Sequence, residues 1–256
     1  MNFQEEIRRK KGREKIVMLT AYDFQVARIL DSVGVDLILV GDSLGMVFQG
    51  QVDTKSVTVE DVAYHIRAVA RGVCKTPVIA DMPINSYATA NAALKNAQVF
   101  IDSGACGVKI EGSNTVVVKA LADAGVPVMG HVGMLPQTAE AYRVKGKTPQ
   151  EAQQIMRDAA ELDASGVFSI VLECMPESLA KKITDSVSAP TIGIGAGKHC
   201  DGQVLVINDM LGLSGDFKPK YVKTYANLSE TIVAAVSKFS AEVREGEYPD
   251  DERTYH

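Results

Sequence analysis

Apolar residues along this chain gather into short unbroken runs instead of alternating with polar ones. Eight runs recur, over residues 16–21, 36–41, 77–82, 107–112, 127–132, 168–173, 190–195 and 203–208. Continuous apolarity rich in Val and Ile predicts parallel strands whose outer faces are covered by helices. Between the runs the period lengthens. Val59, Val62, Ile66 and Val69 form a helical stripe that opens after Thr58 and stops at Gly72. Thr148-Pro149-Gln150-Glu151 reads as a capping box with proline in the first turn, starting a helix that runs to Ser165-Gly166. Val33-Gly34-Val35, Ser103-Gly104-Ala105, Ala124-Gly125-Val126 and Ser165-Gly166-Val167 repeat one helix stop, with glycine taking the left-handed turn.

Eight strand-then-helix units within 256 residues predict the α/β class and a (β/α)8 TIM barrel, with residues 1–256 as a single domain. The segment before residue 16 is expected to be a helix closing the bottom, residues 227–246 a long final helix, and the acidic end a solvated tail. An open doubly wound sheet is the competing arrangement. No GxGxxG follows the first run, so a dinucleotide-binding version is disfavoured.

Composition narrows the partners. Lys and Arg number 27 against 32 Asp and Glu, a net charge of −5, without the basic face that a nucleic-acid partner requires. A small anionic substrate needs only one or two local cations and stays open. Cys74, Cys106, Cys174 and Cys200 form no CxxC pair, which fits small apolar residues in a reducing compartment. No apolar run approaches the roughly 20 residues that span a bilayer. A cytoplasmic protein with no membrane partner is expected.

Strand tips carry the chemistry, because barrel active sites sit at the C-terminal ends of the strands. Asp42 ends the second run, Asp81 nearly ends the third and Glu111 ends the fourth; Lys109 is two residues before Glu111 and shares its side of the strand. His131 reaches the same rim from the fifth run, and Glu173 from the sixth. Each has a plain structural alternative: a turn-forming Asp42, an Asp81 bonded to its loop, a structural Lys109–Glu111 pair, a packing His131. Together they share one rim and one predominant sign. Asp42, Asp81 and Glu111 against Lys109 leave an excess of negative charge that a divalent cation would balance, and oxygen-only ligands favour Mg²⁺. Gly193-Ile194-Gly195-Ala196-Gly197 after the seventh run is either a phosphate cradle or a tightly packed loop, His199 has no evident partner, and His65 reads as a surface or satisfied core residue.

Six segments taken in order, Val40-Gly41-Asp42-Ser43-Leu44-Gly45-Met46, Ala80-Asp81-Met82-Pro83, Val108-Lys109-Ile110-Glu111-Gly112, Gly130-His131-Val132-Gly133, Val171-Leu172-Glu173-Cys174 and Gly193-Ile194-Gly195-Ala196-Gly197, resemble the motifs of the ketopantoate hydroxymethyltransferases. The likeness runs from Thr20 to Pro249. It implies transfer of a hydroxymethyl group from 5,10-methylenetetrahydrofolate, a co-substrate, to 3-methyl-2-oxobutanoate, giving 2-dehydropantoate in pantothenate and coenzyme A synthesis. It further implies Mg²⁺ held by Asp42, Asp81 and Glu111, the 2-oxo acid held by Asp42, Ser43, Asp81 and Lys109, Glu173 as general base, and a cytoplasmic homodecamer of two five-membered rings. No folate-binding residue is assigned. Thr138–Val144 is shorter than the family pattern and lacks its glycine pair, and Asn208-Asp209 stands where a His-Asp pair is common. The alternatives are a metal-dependent 2-oxo acid lyase or mutase, whose Lys-Lys-Cys-Gly-His stretch is absent here, and a non-catalytic metal- or anion-binding scaffold.

Overall fold

The computed structural model describes residues 2–215 and 219–256, which fall into two compact units, 1–206 and 207–256. In the first unit, α1 (Phe3–Lys10) precedes β1 (Ile16–Thr20), α2 (Phe24–Val33), β2 (Leu37–Val40), α3 (Leu44–Val47) and α4 (Val59–Gly72). β3 (Val78–Asp81), α5 (Ala90–Asp102), β4 (Gly107–Lys109), α6 (Thr115–Asp123) and β5 (Val128–Gly133) follow. α7 (Pro149–Ala164), β6 (Ser169–Glu173), α8 (Glu177–Ser186), β7 (Thr191–Ile194) and β8 (Gly202–Leu205) complete it. The eight strands pair in chain order, all parallel, and β8 returns to β1 to close the barrel. All eight predicted strands are present. The second unit holds α9 (Ile207–Leu211) and α10 (Leu228–Glu245), the expected final helix, which ends at Gly246.

Helix ends follow the residues that predicted them. Thr58 and Asp61 form the reciprocal capping box of α4. Gly34, Gly104, Gly125 and Gly166 all have positive φ at the stops between helix and strand. Two expectations need correcting. Thr148 accepts the Glu151 N–H, but the Glu151 carboxylate turns away to Gly146 N–H (3.1 Å) and Arg143 Nη2 (2.6 Å), so the box is only half made. No helix lies between β7 and β8; the link from Gly195 to Asp201 is too short and glycine-rich to form one. Of the cysteines, only Cys200 is fully buried, whereas Cys74 and Cys106 are exposed.

Inside the barrel, Ile16, Met18, Leu37, Leu39, Ile79, Met129, Val171, Ile192 and Val204 pack together, with Ile7 of α1 against them. Phe3 meets the Phe168 ring edge-on at 5.4 Å, so α1 closes the bottom as expected. Polar bonds fasten it. Arg8 Nη2 donates to Val167 O at 2.6 Å, and Lys11 Nζ donates to Thr184 O, Ala189 O and Asp201 Oδ2 at 3.0–3.1 Å. With the lower layers filled mostly by apolar side chains, the charged residues that continue the same alternation emerge at the upper end.

Asp31 of α2 ties the outer layer to the sheet. Buried at 8% exposure, it accepts the N–H groups of Cys74, Lys75 and Thr76 at 3.1, 3.1 and 2.8 Å, at the entry to β3. Burial acts to raise its pKa, but these bonds overrule it and bring the carboxyl from 3.8 down to about 2. A folded-state pKa below the unfolded value means stability fully present above 3.8 and lost as pH falls toward 2. Asp31→Asn should lose about 1–3 kcal/mol at neutral pH, the scale for hydrogen bonds to a charged acceptor. Urea unfolding should show that deficit shrinking between pH 3.8 and 2. A deficit independent of pH would show that the charge contributes nothing.

Candidate active site

β4 has only three residues, yet its pairing pattern outlasts it: Ile110 N–H donates to Met129 O and Gly112 N–H to His131 O. That continuation keeps Glu111 on the side of Lys109, as the alternation requires. Register places Asp81 beside Lys109 and Gly133 beside Glu173. The predicted rim is therefore real. Asp42, Asp81, Lys109, Glu111 and His131 are 5, 2, 5, 7 and 1% exposed, and the Glu173 side chain 12%.

The charges do not simply repel. Lys109 Nζ donates to both Asp81 oxygens, at 2.7 and 2.8 Å. Glu111 Oε1 is 3.5 Å from His131 Nδ1, and Glu173 Oε2 is 3.1 Å from His131 Nε2, ion-pair distances without hydrogen-bond alignment. His131 thus stands between two carboxylates from different strands. Ser43 Oγ shares a 2.7 Å hydrogen bond with Tyr22 OH.

Gln137 was not singled out by sequence. It follows β5 in the rim loop, is fully buried, and donates from Nε2 to Asp42 Oδ2 and Met82 O, both at 2.9 Å. Its backbone N–H donates to Glu111 Oε2 at 3.1 Å, and its Oε1 accepts from Tyr87 OH at 2.6 Å. A glutamine between Pro136 and Thr138, outside any periodic element, carries no sequence signal of this role.

Burial raises the pKa of Asp42, to about 8, with Asp81 and Glu111 adding to it and Lys109 and Gln137 opposing. Burial likewise raises Asp81, against the pull of Lys109. Glu111 is lowered: burial pushes it up, but His131, Lys109 and the Gln137 N–H prevail. Burial and Lys109 depress His131, yet Glu111 and Glu173 carry it to about 9. For Lys109 the carboxylates of Asp81, Glu111 and Asp42 outweigh burial and hold it above the ordinary lysine value.

Asp42, Asp81 and Glu111 are brought to one rim but engaged separately, and no three His, Cys, Asp or Glu side chains among the described residues already converge as a ligand set. The donor chemistry fits a hard divalent cation: three buried carboxylates face one lysine, and all the donors are oxygens. Near Glu173 the backbone is tight. A Cβ on Gly133, at φ +104°, would lie 2.3 Å from Glu173 O, and Cys174 takes a left-handed φ of 46°. Burial, with Glu173 beside it, pushes the Cys174 thiol up to about 12, so it stays protonated and is a poor nucleophile.

The glycine-rich segment is tightly packed. A Cβ on Gly197 would meet Glu177 Cγ at 2.5 Å, one on Gly193 would meet Cys200 Sγ at 2.9 Å, and Gly195 O accepts from Met175 N–H. His199 lies 3.5 Å from Glu177 at the surface. His65 Nδ1 lies 2.6 Å from Tyr22 O within an aromatic cluster, a satisfied packing residue. An open cleft of about 410 Å³ lies in the loop after β5, lined by Gly133, Leu135, Ala139, Ala141, Arg143 and Lys145, among others.

Comparison with known proteins places the chain. Residues 2–251 match the family model described as ketopantoate hydroxymethyltransferase. A 3-methyl-2-oxobutanoate hydroxymethyltransferase from Clostridium kluyveri is 51% identical over 253 residues, covering 96% of this chain and 90% of that protein. One from Nitratidesulfovibrio vulgaris is 49% identical over 257 residues, covering 98% and 84%. Among solved structures, phosphonopyruvate hydrolase in complex with oxalate and Mg²⁺ superposes with a TM-score of 0.65 at 14% identity, covering 100% of this chain and 92% of that one. For 2,3-dimethylmalate lyase the values are 0.62, 16%, 100% and 92%. At those identities the likeness is one of fold.

Removing one partner of a buried ion pair costs about 3–5 kcal/mol, more than the pair itself contributes. Lys109→Met should therefore lower stability by that order, and Lys109→Met with Asp81→Asn should recover part of it. Chemical denaturation of the four proteins in this cycle measures the coupling. Additive losses would mean that Lys109 and Asp81 are energetically independent.

Proposed function

Because the chain belongs to the ketopantoate hydroxymethyltransferase family, a family of transferase enzymes of pantothenate biosynthesis, we propose that it transfers a hydroxymethyl group from 5,10-methylenetetrahydrofolate to 3-methyl-2-oxobutanoate, giving 2-dehydropantoate, in the cytoplasm. The observation that carries the mechanism is the different engagement of the acids: Glu173 of β6 has only the imidazole of His131 beside it, while Asp81 is met by Lys109, Asp42 by the Gln137 amide, and Glu111 by the Gln137 N–H and the other nitrogen of His131.

Asp42, Asp81 and Glu111 would hold Mg²⁺, and the oxalate and Mg²⁺ named with one fold neighbour are compatible with that assignment. When bound, Mg²⁺ supplies Lewis-acid polarisation of the substrate's keto oxygen. Asp42, Ser43, Asp81 and Lys109 bind the 2-oxo acid. Lys109 has three donors and places two contacts on Asp81, leaving a direction for the substrate carboxylate. Glu173 takes the proton from C3, and His131 orients its carboxylate. The resulting carbon nucleophile bonds to the one-carbon unit of the folate, both of whose carbon–nitrogen bonds break; water provides the hydroxyl oxygen, and the proton taken from C3 and one proton of that water end on the two folate nitrogens. The closely packed backbone of Gly133 and Cys174 fixes where Glu173 points.

A homodecamer is the proposed assembly, supported by the exposed Ile232, Val233, Val236 and Phe239 along α10, apolar side chains suited to a subunit contact. A lyase or mutase activity has only the fold likeness behind it, at 14–16% identity. A scaffold role leaves the separate placement of Glu173 unexplained.

Glu173→Gln preserves size but cannot accept a proton. Exchange of the C3 proton of 3-methyl-2-oxobutanoate into D₂O, followed by NMR without folate, should fall by at least about 100-fold, the scale of losing a general base. Calorimetry should find Mg²⁺ and 2-oxo acid binding nearly unchanged. Wild-type exchange rates in the variant would exclude Glu173 as the base and leave His131 as the next candidate.

A further inference from the structure

Gln137 makes more contacts to the carboxylates of the rim than the assigned roles require. One side chain and its own backbone N–H reach Asp42 from β2, Met82 O beyond β3 and Glu111 beyond β4, three successive strand ends, from a loop that follows β5. The amide is the right group for this place. Its NH₂ donates twice, to Asp42 and Met82, and a carboxylate or a thioether there could donate to neither. Its orientation is also set, since Oε1 receives the Tyr87 hydroxyl at 2.6 Å, and Tyr87 OH in turn lies 3.4 Å from Glu111 N as a weak acceptor. Gln137 engages one oxygen of each carboxylate, Asp42 Oδ2 and Glu111 Oε2, so the second oxygen of each lies outside the clamp.

We propose that Gln137, oriented by Tyr87, is a positioning residue that fixes the Asp42 and Glu111 carboxylates and thereby sets the affinity of the rim for its divalent cation and 2-oxo acid. The role rests on the metal assignment made under Proposed function. Gln137 touches no reacting atom. It acts through the two carboxylates, holding Asp42 and one oxygen of Glu111 away from Lys109, whose donors the substrate needs. Outer partners of this kind typically change metal affinity by about 10–100-fold when removed.

The test compares wild type, Gln137→Met, Tyr87→Phe and the double variant. Gln137→Met keeps the side-chain length and the backbone N–H to Glu111 but removes the amide. Three readouts are taken: calorimetric titration with MgCl₂, the rise in melting temperature that MgCl₂ produces, and C3 proton exchange at saturating Mg²⁺ and 2-oxo acid. Gln137→Met should bind Mg²⁺ about tenfold more weakly and show a correspondingly smaller Mg²⁺-dependent rise in melting temperature. It should need correspondingly more 2-oxo acid to saturate, while exchange at saturation stays close to wild type. Tyr87→Phe should weaken Mg²⁺ binding in the same direction, less strongly, and the double variant should be no weaker than Gln137→Met, because Tyr87 acts through the amide. A Gln137→Met protein with wild-type Mg²⁺ affinity, or additive effects in the double variant, overturns the role. Should Gln137→Met not fold, Tyr87→Phe decides alone, and unchanged Mg²⁺ affinity there is equally fatal. A wild-type protein that binds no Mg²⁺ removes the metal assignment itself and the positioning role with it, an outcome distinct from a failure confined to the variants.

Discussion

Three buried carboxylates share one ammonium at the upper end of this barrel, and the surrounding structure answers that imbalance. Lys109 gives its contacts to Asp81 on the adjacent strand. Asp42 and Glu111 are then met by groups that cost less to bury than a second lysine: an amide, a backbone N–H and an imidazole. An ion pair taken from water loses several kcal/mol of hydration per ion, recovered only where every lone pair finds a donor. From the loop after β5, Gln137 reaches back to the ends of three strands. His131 extends the same network sideways to Glu173, so the acid that stands apart is still in electrical contact with the rest.

Much of this was legible in the sequence, for a physical reason. Parallel strands buried on both faces must be continuously apolar, so a lysine, a histidine and four acids at the ends of such runs could only lie where water or a ligand reaches them. Period-two alternation puts Lys109 on the side of Glu111 from the sequence alone. Helix stops were equally readable, since a left-handed residue such as Gly104 at φ 110° costs least without a Cβ. What escaped were features held by tertiary contacts alone. Gln137 sits in a loop without periodicity, and its partners are 26 to 95 residues away. Glu151 has the capping-box identity but finds a better partner in Arg143. Pairing of Lys109 with Asp81 across strands, instead of with its neighbour Glu111, depends on register, which the pattern leaves open.

The fold neighbours sharpen the division between scaffold and chemistry. Proteins 14–16% identical to this chain close the same barrel, so the apolar layers can be satisfied by many sequences. The family match, by contrast, runs over residues 2–251 and takes in the rim and its loops together with the barrel. Within the loop after β5, one stretch supplies Gln137 to the carboxylates while the following residues line the open cleft. Changes in that loop therefore bear on the buried acids and on the outer surface at once.

The fastening of α1 has a consequence for the order of events during synthesis. Arg8 and Lys11 find their acceptors 159 to 190 residues further along the chain, at Val167, Thr184, Ala189 and Asp201. A helix made before every strand of the barrel is thus among the last elements to be secured, and until β8 emerges its apolar face has no barrel to plug. Contacts of such separation carry a large loop-closure entropy and slow folding. During that interval Ile7 and Phe3 are apolar surface open to other partners. Four Arg and Lys residues in a row, Arg8-Arg9-Lys10-Lys11, keep that waiting segment charged and in water, a gatekeeper for the unfinished chain that becomes its bolt once the barrel closes.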